Sequence, residues 1–168
     1  MKKAICLLLL LLLSGCGAAP ATDLPEEELS PALTGAYDVV RVVDGDTIIV
    51  DIDGEETRVR LIGIDTPESV NPDESKNTEA GDLASAYTKE LLSDETVYLE
   101  YDIDKTDDYD RTLAYVYLSD GVTMVNKLLL ENGYASIMTI QPNSKYANDF
   151  YELQKAAQEN QIGIWSEE

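Results

Sequence analysis

The 168-residue sequence contains no histidine. That absence excludes a Ser-His-Asp triad, a Cys-His pair, an HExxH zinc site and any histidine general base. Cysteine is almost as scarce, with only Cys6 and Cys16 in the chain, and tryptophan and phenylalanine occur once each. Basic side chains are few as well: 12 Lys plus Arg stand against 33 Asp plus Glu, a formal charge of −21. A balance so acidic argues against a broad basic face of the kind that grips polyanions. Chemistry here is thereby confined to carboxylates, guanidiniums, amines, phenols or a metal held by oxygen. What is present suffices to fold: 44% of the residues are hydrophobic, and the length suits one domain with additional segments.

The first residues, Met1-Lys2-Lys3, precede an apolar run from Ala4 to Leu13 and then Ser14-Gly15-Cys16. A basic start, a short apolar stretch and small residues read as a secretory signal, since a membrane span needs roughly 20 apolar residues. Leu13-Ser14-Gly15-Cys16 resembles a bacterial lipoprotein signal, which implies residues 1–15 removed and Cys16 lipidated; the alternative is an ordinary cleaved signal. Losing Lys2 and Lys3 leaves 10 basic against 33 acidic residues, or −23. With Cys6 discarded, no intramolecular disulfide is available. Residues 16–35 then form the anchor and a tether, with three prolines and four acids in 17–35 and no strand or helix period. The expected location is extracytoplasmic, at a bacterial cell membrane, as an anchored or shed monomer.

The folded domain is expected over 36–168. Strands are read at 39–43, 47–52 and 57–62, with Asp53-Gly54 as the hairpin turn between the last two. Alternation in the third places Arg58 and Arg60 on one face and Val59 and Leu61 on the other. A polar loop at 69–78 leads to a helix over 79–92 whose apolar stripe runs Ala80, Leu83, Ala84, Tyr87 and Leu91. Strands at 96–101 and 112–118, a short helix at 125–132 ended by Gly133, and a helix at 147–160 follow. Five strands and three helices in this order suggest an α+β domain, a small antiparallel barrel with helices against it. Residues 100–110 read as a solvated acidic loop.

Three segments carry polar groups where apolar ones would stabilise more: Asp44-Gly45-Asp46-Thr47, Ile64-Asp65-Thr66-Pro67-Glu68 and Tyr109-Asp110-Arg111. Pairing the second and third strands as a hairpin brings Asp46 and Asp65 towards each other, and such carboxylates repel unless a cation lies between them. Ca²⁺ takes carboxylate and carbonyl oxygens, and Pro67 holds Thr66 extended, so its carbonyl can face the same ion. Arg60 and Arg111 are planar forks suited to phosphate oxygens. Glu68 is placed to orient or deprotonate a water. Each feature alone also fits a turn or a solvated residue.

Together, Val43-Asp44-Gly45-Asp46-Thr47, Arg60 to Glu68, Tyr109 to Tyr117 and the closing Gly163-Ile164-Trp165 resemble the thermonuclease (staphylococcal nuclease-like) family over residues 36–168. The resemblance implies an OB-type five-stranded β-barrel with three helices, a fold that commonly binds oligonucleotides. It implies Ca²⁺ held by Asp46, Asp65 and the Thr66 carbonyl, with Asp44 supporting it through water. It also implies Arg60 and Arg111 on the scissile phosphate and Glu68 on the attacking water. The implied reaction is hydrolysis of DNA or RNA to 3′-phosphate ends. The basic binding groups of the family are thinned: 70–76 is mostly acidic or neutral, Asp107 and Asp108 stand where a lysine is frequent, and Tyr109 is the remaining aromatic for a base. The alternatives are a catalytically weak nuclease-like binding module and a calcium buffer; the latter lacks an EF-hand pattern.

Overall fold

In a computed structural model describing residues 32–166, the first strand, β1 (Leu33–Asp44), begins ahead of the expected domain start at Ala36. The signal-like segment, Cys16 and most of the expected tether lie outside the described residues. Among the described residues, no helix is long and apolar enough to cross a membrane.

β1 is long because it serves two neighbours. Its first half pairs with β5 (Thr96–Glu100) and its second with β2 (Thr47–Ile52), with register shifts within each pairing. β2 turns into β3 (Glu55–Leu61) through Asp53 and Gly54, both at positive φ as a primed turn requires. The five-stranded barrel closes in the order β1-β2-β3-β6-β5, where β6 is Thr112–Tyr117. The barrel is mixed rather than antiparallel: β3 and β6 run parallel, with Arg60 opposite Leu113. That pairing puts Arg60 and Arg111 at the same mouth of the barrel. The inward alternation of Ile48, Val50, Val59 and Leu61, all essentially buried, meets Val97, Leu99 and Val116 from the other strands.

A second, two-stranded sheet pairs β4 (Gly63–Asp65) with β7 (Ser136–Met138), both too short to leave a period in the sequence. Gly63, at φ +82°, makes the corner into β4, where the Phe150 ring occupies the space of a side chain. α2 (Val125–Glu131) and α3 (Ala147–Glu159) pack together. From α2, buried Asn126 donates to the Ile62 carbonyl at 2.8 Å and accepts from the Val116 amide at 3.0 Å.

α1 has the expected bounds, Glu79–Leu92, but its buried face is displaced from the expected stripe. Gly81, Ala84, Ser85, Thr88 and Leu92 are buried, whereas Leu83 is 56% exposed. Small residues win this face because the barrel mouth comes very close. Residues 101–110 are mostly exposed, as expected of a solvated acidic loop, but Glu100, the last residue of β5, is only 3% exposed. Its carboxylate accepts from Lys145 and, at 2.8 Å each, from Tyr117 and Tyr146.

Two measurements follow from this packing. A Cβ at position 81 would lie 2.1 Å from the Glu68 carbonyl oxygen, so Gly81→Ala destabilises by about 2 kcal/mol in urea unfolding, against the usual helix preference for alanine. Burial pushes the Glu100 carboxyl up, but its three hydrogen-bond donors outweigh that and hold it below its ordinary 4.5. Folding therefore favours the ionised form, so its stabilisation is present above that value and fades as pH falls below it. Urea midpoints across that acid range will fall less steeply for Glu100→Gln than for the parent chain.

Candidate active site

The turn between β1 and β2 carries Asp44, Gly45 and Asp46, and the buried face of α1 fixes it. Thr88 donates from Oγ1 to the Gly45 carbonyl at 2.7 Å. A Cβ on Gly45 would stand 2.8 Å from Thr66 Oγ1 and 3.0 Å from Ala84 Cβ, so only glycine permits this approach. Gly81 lies against the Glu68 backbone, and the Thr78 amide donates to the Glu68 carbonyl at 2.9 Å. One helix thus sets the spacing between the two acidic segments.

Asp46 is 7% exposed. Its carboxylate accepts from Thr47 Oγ1 at 3.0 Å and from the Thr66 amide at 2.9 Å. Arg60 Nη2 lies 3.0 Å from Asp46 and 2.8 Å from Asp65, bridging the two carboxylates. Its Nη1 donates to the carbonyls of Leu61 and Ile64 at 2.8 and 2.7 Å. Asp44, also buried, accepts from the Gly45 amide and from Ser69 Oγ at 2.8 and 2.7 Å. Burial pushes the Asp65 carboxyl above its ordinary value; Arg60 opposes that rise, and the neighbouring Asp46 and Asp44 carboxylates add to it.

Arg111 stands across the mouth. Its Nε donates to Asp107 at 2.7 Å, and its guanidinium lies 5.5 Å from the centre of the exposed Tyr109 ring. Arg60, Arg111, Asp46, Asp65, Thr66 and Glu68 all line one cavity of about 290 Å³. A larger one of about 410 Å³ adjoins it, sharing Arg60, Arg111 and Met138 and walled by Tyr109, Leu113 and Ile140. Every site residue singled out in the folded domain therefore meets at one end of the barrel; Cys16 lies outside the described residues.

Among the described residues, no three Asp, Glu, His or Cys side chains converge as a ready-made metal cage. The donors at hand are two carboxylates sharing one guanidinium nitrogen, with Asp44 near enough to raise the Asp65 carboxyl. All are hard oxygens in a site short of positive charge, and this chemistry fits an oxygen-bound divalent cation. Asp107, Ser69, Thr88 and Met138 also belong to the site, and none stood out as functional in the sequence. Asp107 pairs with Arg111 within an irregular loop, where i, i+4 spacing carries no helical signal, and the others depend on contacts distant in sequence.

A closed five-stranded mixed barrel with three helices is an OB-type α+β fold, and it gathers an acid pair, two arginines and a further carboxylate at one mouth. Residues 58–167 match the family model described as staphylococcal nuclease homologue. The chain is 46% identical over 147 residues to the thermonuclease of Staphylococcus intermedius, covering 85% of this chain and 84% of that protein. It is equally identical over 141 residues to the thermonuclease of Staphylococcus hyicus, covering 82% and 80%. Endonuclease YncB of Bacillus subtilis (strain 168) is 39% identical over 128 residues, covering 75% of this chain and 59% of that protein. The chain belongs to the staphylococcal nuclease family.

The two ion pairs of Arg60 differ in burial, and stability separates them. Arg60→Ala strands the buried Asp46 carboxylate and costs about 3 kcal/mol in urea unfolding in the presence of chelator. Asp65→Ala, whose side chain is half exposed, costs under about 1 kcal/mol.

Proposed function

We propose that the protein is a nuclease that hydrolyses phosphodiester bonds of DNA or RNA with Ca²⁺ and leaves 3′-phosphate ends, held outside the cell by a lipid on Cys16. The observation that carries the catalytic part is the meeting of Asp46, Asp65, Glu68, Arg60 and Arg111 around one cavity. The likeness to two thermonucleases over most of their length supports it. The signal-like N-terminus supports the placement.

Asp46, Asp65 and the Thr66 carbonyl would hold the cation, with Asp44 behind them. Bound there, a divalent cation supplies Lewis-acid neutralisation of charge on a phosphoryl oxygen. The chain's own residues do the rest. Glu68 extends into the cavity from the segment clamped by α1 and orients the attacking water. The guanidiniums offset charge on the pentacovalent phosphorus centre as it forms, where fixed dipoles and charges act most strongly.

The two arginines are not equivalent. Both terminal nitrogens of Arg60 are engaged by carbonyls and carboxylates. Those of Arg111 have no protein partner among the described residues, so Arg111 is the fork free to close on a phosphate as the structure stands. A catalytically weak binding module would be expected to lack one of these side chains, and all five are present.

Because Glu68 is exposed and its removal leaves no buried charge, its variant isolates chemistry from folding. Glu68→Gln lowers Ca²⁺-dependent cleavage of single-stranded DNA by about 100-fold or more, and chelator abolishes cleavage by the parent chain. Undiminished cleavage by Glu68→Gln at an unchanged urea midpoint removes Glu68 from the mechanism.

A further inference from the structure

We propose that Asp107 is the positioning residue for Arg111, its carboxylate aiming the free edge of that guanidinium and the Tyr109 ring together at the bound strand. This rests on the nuclease reading and extends it to a side chain that the acidic composition alone presents as a hindrance.

Three donors converge on this carboxylate. Its Oδ1 accepts from the backbone amides of Tyr109 and Arg111, each at 2.9 Å, and its Oδ2 accepts from Arg111 Nε at 2.7 Å. The backbone closes the same turn: the Asp107 amide donates to the Arg111 carbonyl at 3.1 Å, and the Asp110 amide to the Asp107 carbonyl at 3.2 Å. Asp110 accepts a left-handed φ of +57° to complete it. Two backbone amides therefore hold the carboxylate independently of the Arg111 side chain.

The consequence for Arg111 is directional. Nε is one edge of a planar fork, so pinning it sets the plane and leaves the Nη pair on the other edge. Arg111 lines both the cavity that holds Asp46, Asp65 and Glu68 and the adjoining one walled by Tyr109. Asp107 anchors the amide of Tyr109 too, so one carboxylate sets the relation between a phosphate fork and an aromatic surface. Burial pushes the Asp107 carboxyl up, but hydrogen bonds from Arg111 and Tyr109 outweigh this and keep it ionised. Such an anchor is what a catalytic group on a loop requires, because small displacements of reacting groups are costly.

The test combines a double-mutant cycle with a direct probe of the bond. Asp107→Asn retains one oxygen where the three donors use two. It lowers kcat for single-stranded DNA about 10- to 100-fold, while the same change made in Arg111→Ala produces no further loss. In labelled parent protein, NMR shows the Arg111 Nε–H protected from solvent exchange. An unchanged kcat in Asp107→Asn, equal losses in both backgrounds, or an Nε–H exchanging as in a free arginine overturns the proposal. The last measurement needs no variant and stands even where Asp107→Asn fails to fold. Parent protein that cleaves nothing with Ca²⁺ removes the nuclease reading itself; cleavage with an additive cycle removes only the role of Asp107.

Discussion

The bridge from Arg60 to Asp46 and Asp65 is the interaction on which both fold and site depend. A carboxylate as buried as that of Asp46 survives only with a compensating charge and filled hydrogen bonds. Arg60 supplies the charge, while Thr47 and the Thr66 amide supply the hydrogen bonds. The same guanidinium holds the Leu61 and Ile64 carbonyls and so shapes the corner from β3 into β4. Folding the barrel mouth and assembling the acid pair are one event, because neither the corner nor the pair is satisfied without this side chain.

Around that bridge, close approach replaces apolar bulk. Gly45, Ala84 and Thr88 let α1 sit almost against the acidic turn, and Gly81 lets it lie against the Glu68 backbone. Parallel pairing of β3 with β6 then delivers Arg111 to the mouth that Arg60 already occupies. The formal charge of −21 also takes on a different meaning. Asp44, Asp46, Glu100 and Asp107 are engaged by internal donors, so part of the acidity is architecture rather than a repulsive field facing a polyanion. Acids that remain exposed still act at long range, screened by salt.

Much of this was legible in the residues. Asp53-Gly54 announced the β2–β3 hairpin, the bounds of α1 followed from the end of the polar loop and the apolar pattern, and the acidic and arginine motifs pointed to residues that gather at one mouth of the barrel. The misreadings share a physical cause, which is that sequence periodicity reports apolar faces. α1 buries a face of small residues, so its stripe was placed beside the true one. β4 and β7 are shorter than any period. The direction of β6 depends on a partner distant in sequence, and Asp107, in an irregular loop, carries no sequence sign of its anchoring role.

Under the proposed function, Asp46 and Asp65 hold one cation between them and share their charge with Arg60. Calorimetric titration of the purified protein with Ca²⁺ in the absence of nucleic acid reads this acid pair without the complication of substrate. One site per chain is expected, lost in Asp46→Asn and weakened in Asp65→Asn. Several sites, or binding unchanged by both substitutions, rules out the shared cation.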